Sequence, residues 1–187
     1  MTDTHLLDDV DATTPIGSCL AAWHRLFQGD PDALTDVLAG DAVLHSPVLF
    51  APVRGKELVS LYLTGAAMTF VRAAEASADG ETSADGETSA DGENGAAAEA
   101  SAAGEGGAAA SDDEWDGTFR YVRLLTGERD AVLEFETTMD GKYVNGVDII
   151  TCDDDGLIVE FKVMVRPLKA VEAVRAMMAA ALDQLQS

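Results

Sequence analysis

Cysteine and long apolar runs are scarce in this sequence of 187 residues, and each shortage excludes a class of protein. Its two cysteines, Cys19 and Cys152, are too few for a disulfide framework and lie among apolar residues, so we expect two small buried side chains. No run approaches the roughly 18 apolar residues of a membrane-spanning helix, and the N-terminus lacks the apolar core of a signal peptide. These absences predict a cytoplasmic protein without a membrane partner.

Basic residues are also few, with 12 Lys and Arg against 34 Asp and Glu and a net charge of -22. Twelve of the acidic residues lie between Glu75 and Glu114, a stretch without Lys or Arg, which leaves 22 acidic against 12 basic residues elsewhere. An acidic surface repels phosphate backbones, so we expect no nucleic-acid partner. The acidity has two interpretations, simple solubility or the adaptation of a halophile to high salt, and both stay open.

Motifs for metals and phosphate-bearing cofactors are missing. The three histidines are scattered, and no group of His, Cys and carboxylates has the spacing of metal ligands. The glycines of residues 74–113 neither follow a strand nor open a helix, so they form no phosphate-binding loop. We therefore predict neither a metal nor a cofactor.

Hydrophobic periodicity predicts an α+β domain. A helix begins at Thr14-Pro15, with Thr14 as N-cap and proline at the first helical position, where its missing N–H costs nothing. Further elements follow at helical or alternating spacing: a short helix from Asp30-Pro31 to Gly40, a strand over Ala42–Ser46, a helix over Glu57–Ala67, strands over Thr118–Leu125, Ala131–Thr138, Lys142–Cys152 and Leu157–Val165, and a helix over Leu168–Leu185.

Residues 74–113 interrupt this pattern with ADGETS, ADGETS and ADGENG in tandem, followed by an Ala/Gly/Glu tract. Such units offer almost no large apolar side chain, so stacking them cannot offset the entropy of ordering the chain. We predict a flexible N-terminus over 1–13 and a single domain over 14–187, interrupted by a disordered acidic insertion over 74–113. The insertion is either a tolerated expansion of a surface loop or a charged tether for a partner.

Asp148 stands among apolar residues in the Lys142–Cys152 strand, in phase with Val144 and Ile150. A carboxylate buried without a partner is costly, so the site either neutralises it, binds it to a neighbour or uses it. Both faces of this strand are largely apolar, which is typical of a central strand whose second face packs on another surface, such as a second subunit.

The order of these motifs resembles the nuclear transport factor 2-like superfamily, and within it the SnoaL-like branch, which is related to ketosteroid isomerases and polyketide cyclases. The resemblance rests on Gly29-Asp30, Asp41–Pro47 (DAVLHSP), Arg54-Gly55-Lys56, Gly146-Val147-Asp148, Asp155–Ile158 (DGLI) and Arg166-Pro167. It implies a cone: a strongly curved, mostly antiparallel sheet packed on three N-terminal helices, with a C-terminal helix and a pocket at the wide end. It also implies a homodimer.

For the site, the resemblance implies that Asp148 is a protonated acid that donates to a ligand oxygen. Ser46 stands where the isomerases carry their base, and Ala22 and Trp23 stand where they carry a tyrosine, so the first helix supplies no phenol. His45 is the alternative base, although strand alternation turns it outward if Ser46 faces inward.

The residues predicted to line the pocket are Ser46, Trp23, Tyr62, Val159, Phe161 and Val163; Trp23 and Tyr62 have core packing as their alternative. This set predicts a small, mostly apolar ligand and isomerase- or cyclase-like acid–base chemistry. The alternative function is a non-catalytic interaction or dimerisation module with a vestigial pocket.

Overall fold

Helices and strands follow one another in the predicted order in a computed structural model that describes residues 5–7, 10–28, 30, 32–78, 115–139 and 141–185. In these ranges the α-helices are α1 Pro15–Phe27, α2 Asp32–Val37, α3 Lys56–Ala78 and α4 Leu168–Leu185. The strands are β1 Leu38–His45, β2 Val53–Arg54, β3 Arg120–Thr126, β4 Asp130–Met139, β5 Lys142–Cys152 and β6 Ile158–Arg166. None of the described helices is long and apolar enough to cross a bilayer.

Helix α1 begins as the sequence predicts. Thr14 has an extended backbone, and its hydroxyl accepts a hydrogen bond of 3.1 Å from the N–H of Gly17, which would otherwise have no partner inside the helix. The helix then buries one side against the sheet through Ile16, Leu20 and Trp23. This burial orients Trp23 toward the interior of the domain.

Strand β1 begins at Leu38, four residues before the predicted start, and contains Gly40, which we expected to close a helix. Leu38 pairs with Ile158 of β6, so a partner that is distant in sequence extends the strand. Val53 and Arg54, which lie outside every predicted helix and strand, form β2 by pairing with Leu44 and Val43. Both differences arise because pairing across a sheet overrides local propensity.

The six strands form one sheet in the order β2-β1-β6-β5-β4-β3. All neighbours are antiparallel except β1 and β6, which are parallel, so the α+β, mostly antiparallel fold is confirmed. Register shifts interrupt the β1–β6, β3–β4 and β5–β6 ladders. Extra residues of this kind bend and twist a strand, and they account for the curvature of the sheet.

One face of the sheet is buried under the helices and forms the core. In β4 the inward residues are Ala131, Leu133, Phe135, Thr137 and Met139, all at most 1% exposed, and the residues between them are half-buried. In β5 the inward set includes Val144, Asp148 and Ile150, in the phase that the sequence predicts. Asp148 is therefore the carboxyl group on the core face of the central strands.

The two predicted flexible segments are only partly described. Within residues 1–13, His5–Leu7 form a 3-10 turn, and Leu7 is buried in the core because this apolar side chain finds space beside β3. Helix α3 continues to Ala78, so residues 74–78 of the predicted insertion are helical. The remainder of the insertion lies outside the described residues.

Candidate functional site

A cavity lies between the core face of the sheet and helices α1, α3 and α4. Its volume is about 60 Å³. The wall is almost entirely aliphatic and aromatic. Its polar side chains are those of Ser46, Tyr62, Trp23 and Asp148.

Asp148 carries the acidic group of this wall. The side chain is 6% exposed, and its Oδ2 accepts a hydrogen bond of 3.0 Å from the hydroxyl of Tyr121. Burial raises the pKa of the carboxyl from 3.8 to about 7, and the hydrogen bond from Tyr121 offsets part of that rise because it stabilises the charged form. Near neutral pH the group therefore exists in both the acid and the carboxylate form.

Tyr121 supplies to Asp148 the phenol that the first helix lacks. It comes from β3 and not from α1, and its oxygen also accepts a hydrogen bond of 3.0 Å from Trp23 Nε1. Burial and the neighbouring carboxylate of Asp148 raise the pKa of the hydroxyl well above its ordinary value. In the sequence, Phe119 and Tyr121 alternate with Arg120, which indicates that the phenol of Tyr121 faces inward. The resemblance places the phenol of the isomerases on the first helix instead.

Aromatic rings surround this group of hydrogen bonds and exclude water from it. Trp23 lies 4.9 Å from Phe161 and 5.5 Å from Phe27, measured between ring centroids. Phe119 lies 5.1 Å from Tyr121 and stacks on Phe27 at 5.3 Å. These apolar surroundings are the physical cause of the raised pKa of Asp148.

Five of the six residues predicted to line the pocket are in the cavity wall: Trp23, Ser46, Tyr62, Phe161 and Val163. Val159 does not line the cavity, which corrects that prediction. The β5–β6 register shifts beside it, so that Thr151 pairs with Glu160 and Cys152 with Ile158. The irregularity interrupts strict alternation, and Ile158 takes the buried position instead of Val159.

His45 lies outside the cavity wall, so the structure does not support it as the alternative base. Its Nε2 is 3.8 Å from a carboxylate oxygen of Glu160, and its side chain is 36% exposed. Ser46, the next residue, faces the cavity. The alternation of the strand thus separates the two side chains, as we expected for an inward Ser46.

Within the described ranges no group of three or more His, Cys, Asp or Glu residues could hold a metal ion. The two cysteines are buried, and desolvation raises the pKa of each thiol. A thiol in such surroundings stays protonated and is a poor nucleophile or ligand.

No protein-family model matches the sequence, and no curated protein matches it significantly. Solved structures do. A steroid delta-isomerase from Pseudomonas aeruginosa superposes with a TM-score of 0.64 and 26% identity, over 95% of this chain and 97% of that one. The chain therefore has the fold of this isomerase, which agrees with its resemblance to the nuclear transport factor 2-like superfamily.

Two further structures share the architecture of this chain. An uncharacterised protein with a cystatin-like fold from Silicibacter pomeroyi has a TM-score of 0.57 and 23% identity, over 87% of this chain and 83% of that one. A de novo designed protein with a curved β-sheet has a TM-score of 0.50 and 14% identity, over 87% of this chain and 96% of that one. These two likenesses concern the fold alone.

Proposed function

We propose that this protein binds a small, mostly apolar ligand in the cavity and that Asp148 is the acid that contacts an oxygen atom of that ligand. The observation that carries the proposal is a single carboxyl group, nearly buried, in a cavity wall that is otherwise almost entirely apolar. Apolar walls provide affinity without direction, and one polar group fixes the orientation of the ligand.

The chemistry open to such a site is transfer of one proton, or stabilisation of charge that develops on a ligand oxygen. A carboxyl group with a pKa of about 7 donates and accepts protons near neutral pH with little driving force in either direction, as a general acid or base requires. Among the cavity-lining residues, Ser46 occupies the position at which the related isomerases carry a base. The site thus supports isomerase- or cyclase-like chemistry that needs one acid–base group and no second base. The likeness to a steroid delta-isomerase supports the same class.

A ligand screen by thermal shift tests the proposal, with cyclic ketones, enones and phenols as probes. We expect compounds with one oxygen atom to raise the melting temperature of the wild type. Asp148→Leu, which has no donor, should lose this effect, and Asp148→Asn, which keeps an N–H donor but does not titrate, should lose any turnover. Asp36→Asn, at an exposed position of α2, is the matched control and retains both. Binding unchanged in Asp148→Leu together with turnover unchanged in Asp148→Asn would remove Asp148 from the mechanism.

The second candidate is a non-catalytic interaction module whose cavity is vestigial. The small cavity volume and the outward position of His45 favour it. Ala66→Leu fills part of the cavity, since Ala66 lies in its wall. If this variant binds no probe and still keeps every biological function of the wild type, the cavity is not needed for function and the protein is an interaction module.

The outer face of the sheet supports a homodimer. Met164 on β6 and Leu125 on β3 are 54% and 60% exposed. Val147 and Ile149 lie half-buried on β5, between these two strands in the sheet. We expect Met164→Glu to raise the dissociation constant of the dimer at least about tenfold in sedimentation equilibrium, because it places a charge in an apolar contact. Leu58→Glu, at a residue of α3 that is 53% exposed, is the control. A monomeric wild type at all accessible concentrations would refute the dimer.

A further inference from the structure

Three side chains from three separate elements form a buried chain of hydrogen bonds that ends at the cavity. Trp23 Nε1 on α1 lies 3.0 Å from the hydroxyl oxygen of Tyr121 on β3, and that oxygen lies 3.0 Å from Oδ2 of Asp148 on β5. The three residues are 4%, 2% and 6% exposed. Water does not compete for these bonds, so the groups themselves decide where each hydrogen lies.

The number of hydrogens that each group can donate decides which atom is the donor in each of these two hydrogen bonds. An indole N–H only donates, so the oxygen of Tyr121 must accept from Trp23. The hydroxyl of Tyr121 has one hydrogen of its own, and Asp148 Oδ2 is the acceptor within reach. If Oδ2 carried the acid proton and donated to Tyr121, the hydroxyl hydrogen of Tyr121 would be buried without an acceptor, which is unfavourable.

The other carboxyl oxygen, Oδ1, is the one left for contact with the cavity once Oδ2 is bound to Tyr121. Tyr121 provides the hydrogen bond that Asp148 receives from the described residues. Among these residues no side-chain oxygen or nitrogen is both fully buried and without a partner. Oδ1 therefore carries the residual exposure of Asp148, and Asp148 is part of the cavity wall.

We propose that Tyr121, held by Trp23, is a positioning residue that keeps Oδ2 of Asp148 as an acceptor and so fixes the acid proton on Oδ1, toward the cavity. Tyr121 itself is not in the cavity wall, so it acts through Asp148 and does not touch a ligand. The protonated site then presents a directed donor, which selects ligands with an acceptor oxygen, such as a carbonyl, over ligands with a donor at that point. This selection rests on the proposed function, whereas the position of the proton does not.

The sheet brings Tyr121 to this point although it is not directly opposite Asp148. Tyr121 pairs with Phe135, Phe135 with Gly146, and Asp148 lies two residues further along β5. The β3–β4 register shifts immediately after Tyr121, between it and Arg123. An irregularity of this kind changes the orientation of a neighbouring side chain. Here the side chain of Tyr121 extends diagonally across the sheet to the carboxyl group of Asp148.

The first test measures the pKa of Asp148 without any ligand, by carbon-13 NMR of the full chain labelled at the aspartate carboxyl carbons, with Asp148→Asn to assign the signal. We expect Tyr121→Phe to raise the pKa of Asp148 by about one unit, because the variant removes the donor that stabilises the carboxylate. Tyr143→Phe is the matched control: its hydroxyl also donates to a carboxylate, that of Glu136 at 2.9 Å, but on the outer face. An unchanged pKa in Tyr121→Phe would overturn the proposal.

A second measurement on the wild type does not depend on the folding of a variant. The infrared difference spectrum at pH 5 between the wild type and Asp148→Asn isolates the carbonyl stretch of the protonated acid. We expect one narrow band, because the proton occupies one oxygen. Two bands, which show that the proton divides between the two oxygens, would refute the proposal.

The third measurement separates the positioning role from the proposed function. Cyclohex-2-en-1-one is uncharged at all relevant pH values and carries one acceptor oxygen. We expect its dissociation constant to rise at least about fivefold in Tyr121→Phe at pH 5.5 and to stay unchanged in Tyr143→Phe. If Tyr121→Phe shifts the pKa of Asp148 but cyclohexenone and the other screened probes bind to no form of the protein, the positioning role stands and the proposed ligand binding fails.

Discussion

Replacement of Asp148 by asparagine should change how the stability of the protein depends on pH. In the folded protein the carboxyl group has a pKa of about 7, against an ordinary value of 3.8 that applies to the unfolded chain. The folded state therefore holds the proton more tightly than the unfolded state. The stabilisation that this provides is fully present below pH 3.8 and is lost as the pH rises through 7.

The size of this effect follows from the two pKa values. Each unit of difference corresponds to about 1.4 kcal/mol, so the linkage predicts that the free energy of unfolding of the wild type falls by about 2.5 kcal/mol between pH 5 and pH 8 through this one group. Asparagine does not titrate, so Asp148→Asn lacks this part of the pH dependence. Any loss of packing in the variant is the same at both pH values and cancels.

Urea unfolding of both proteins at pH 5 and pH 8, at one protein concentration, measures the difference. The titratable groups that contact Asp148 or share its cavity wall are Tyr121 and Tyr62, and both are present in both proteins. Asp36→Asn serves as the control, because its side chain is exposed and should follow the wild type. If the free energy difference between wild type and Asp148→Asn is the same at the two pH values, Asp148 does not titrate in this range and the reasoning fails.

Two further outcomes are expected. Gly146→Ala should destabilise the fold by about 1–3 kcal/mol in urea unfolding, because a Cβ there would clash with the ring of Phe135 and lie 2.7 Å from the carbonyl oxygen of Met164. Gly40→Ala, where nothing lies within 4 Å of the added atom, should be nearly neutral, and equal losses in both would contradict the packing argument. The melting temperature should rise between dilute buffer and 2 M NaCl, because salt screens the repulsion within a chain of net charge -22. Equal stability in both would refute adaptation to salt.

The order of elements was predictable from the sequence, because each long element carries its own periodicity. Alternation in Lys142–Cys152 and helical spacing in Leu168–Leu185 gave the bounds that the structure shows. The short strand β2 was missed, and β1 begins earlier than predicted. Neither has a local signal strong enough, since both depend on partners that are distant in sequence.

For the site, the sequence indicated the acid but not its partner. A carboxylate in phase with Val144 and Ile150 departs from the apolar pattern of the strand, and this departure is evident from the sequence alone. The contact of Tyr121 with it is not visible, because the two residues are 27 positions apart and a register shift lies next to Tyr121 in the β3–β4 ladder. A similar shift in the β5–β6 ladder places Ile158 in the core and leaves Val159 outside the cavity wall.

The sequence by itself determined which residues face inward along each regular element, since polar and apolar spacing within one helix or strand is a local property. It also determined the acidity of the chain and the presence of one carboxyl group among apolar side chains. Only the tertiary structure decided which rings surround Asp148 and which phenol binds it. These depend on strand register and on the meeting of α1, β3 and β5, and no local pattern encodes a distance between elements that far apart in the chain.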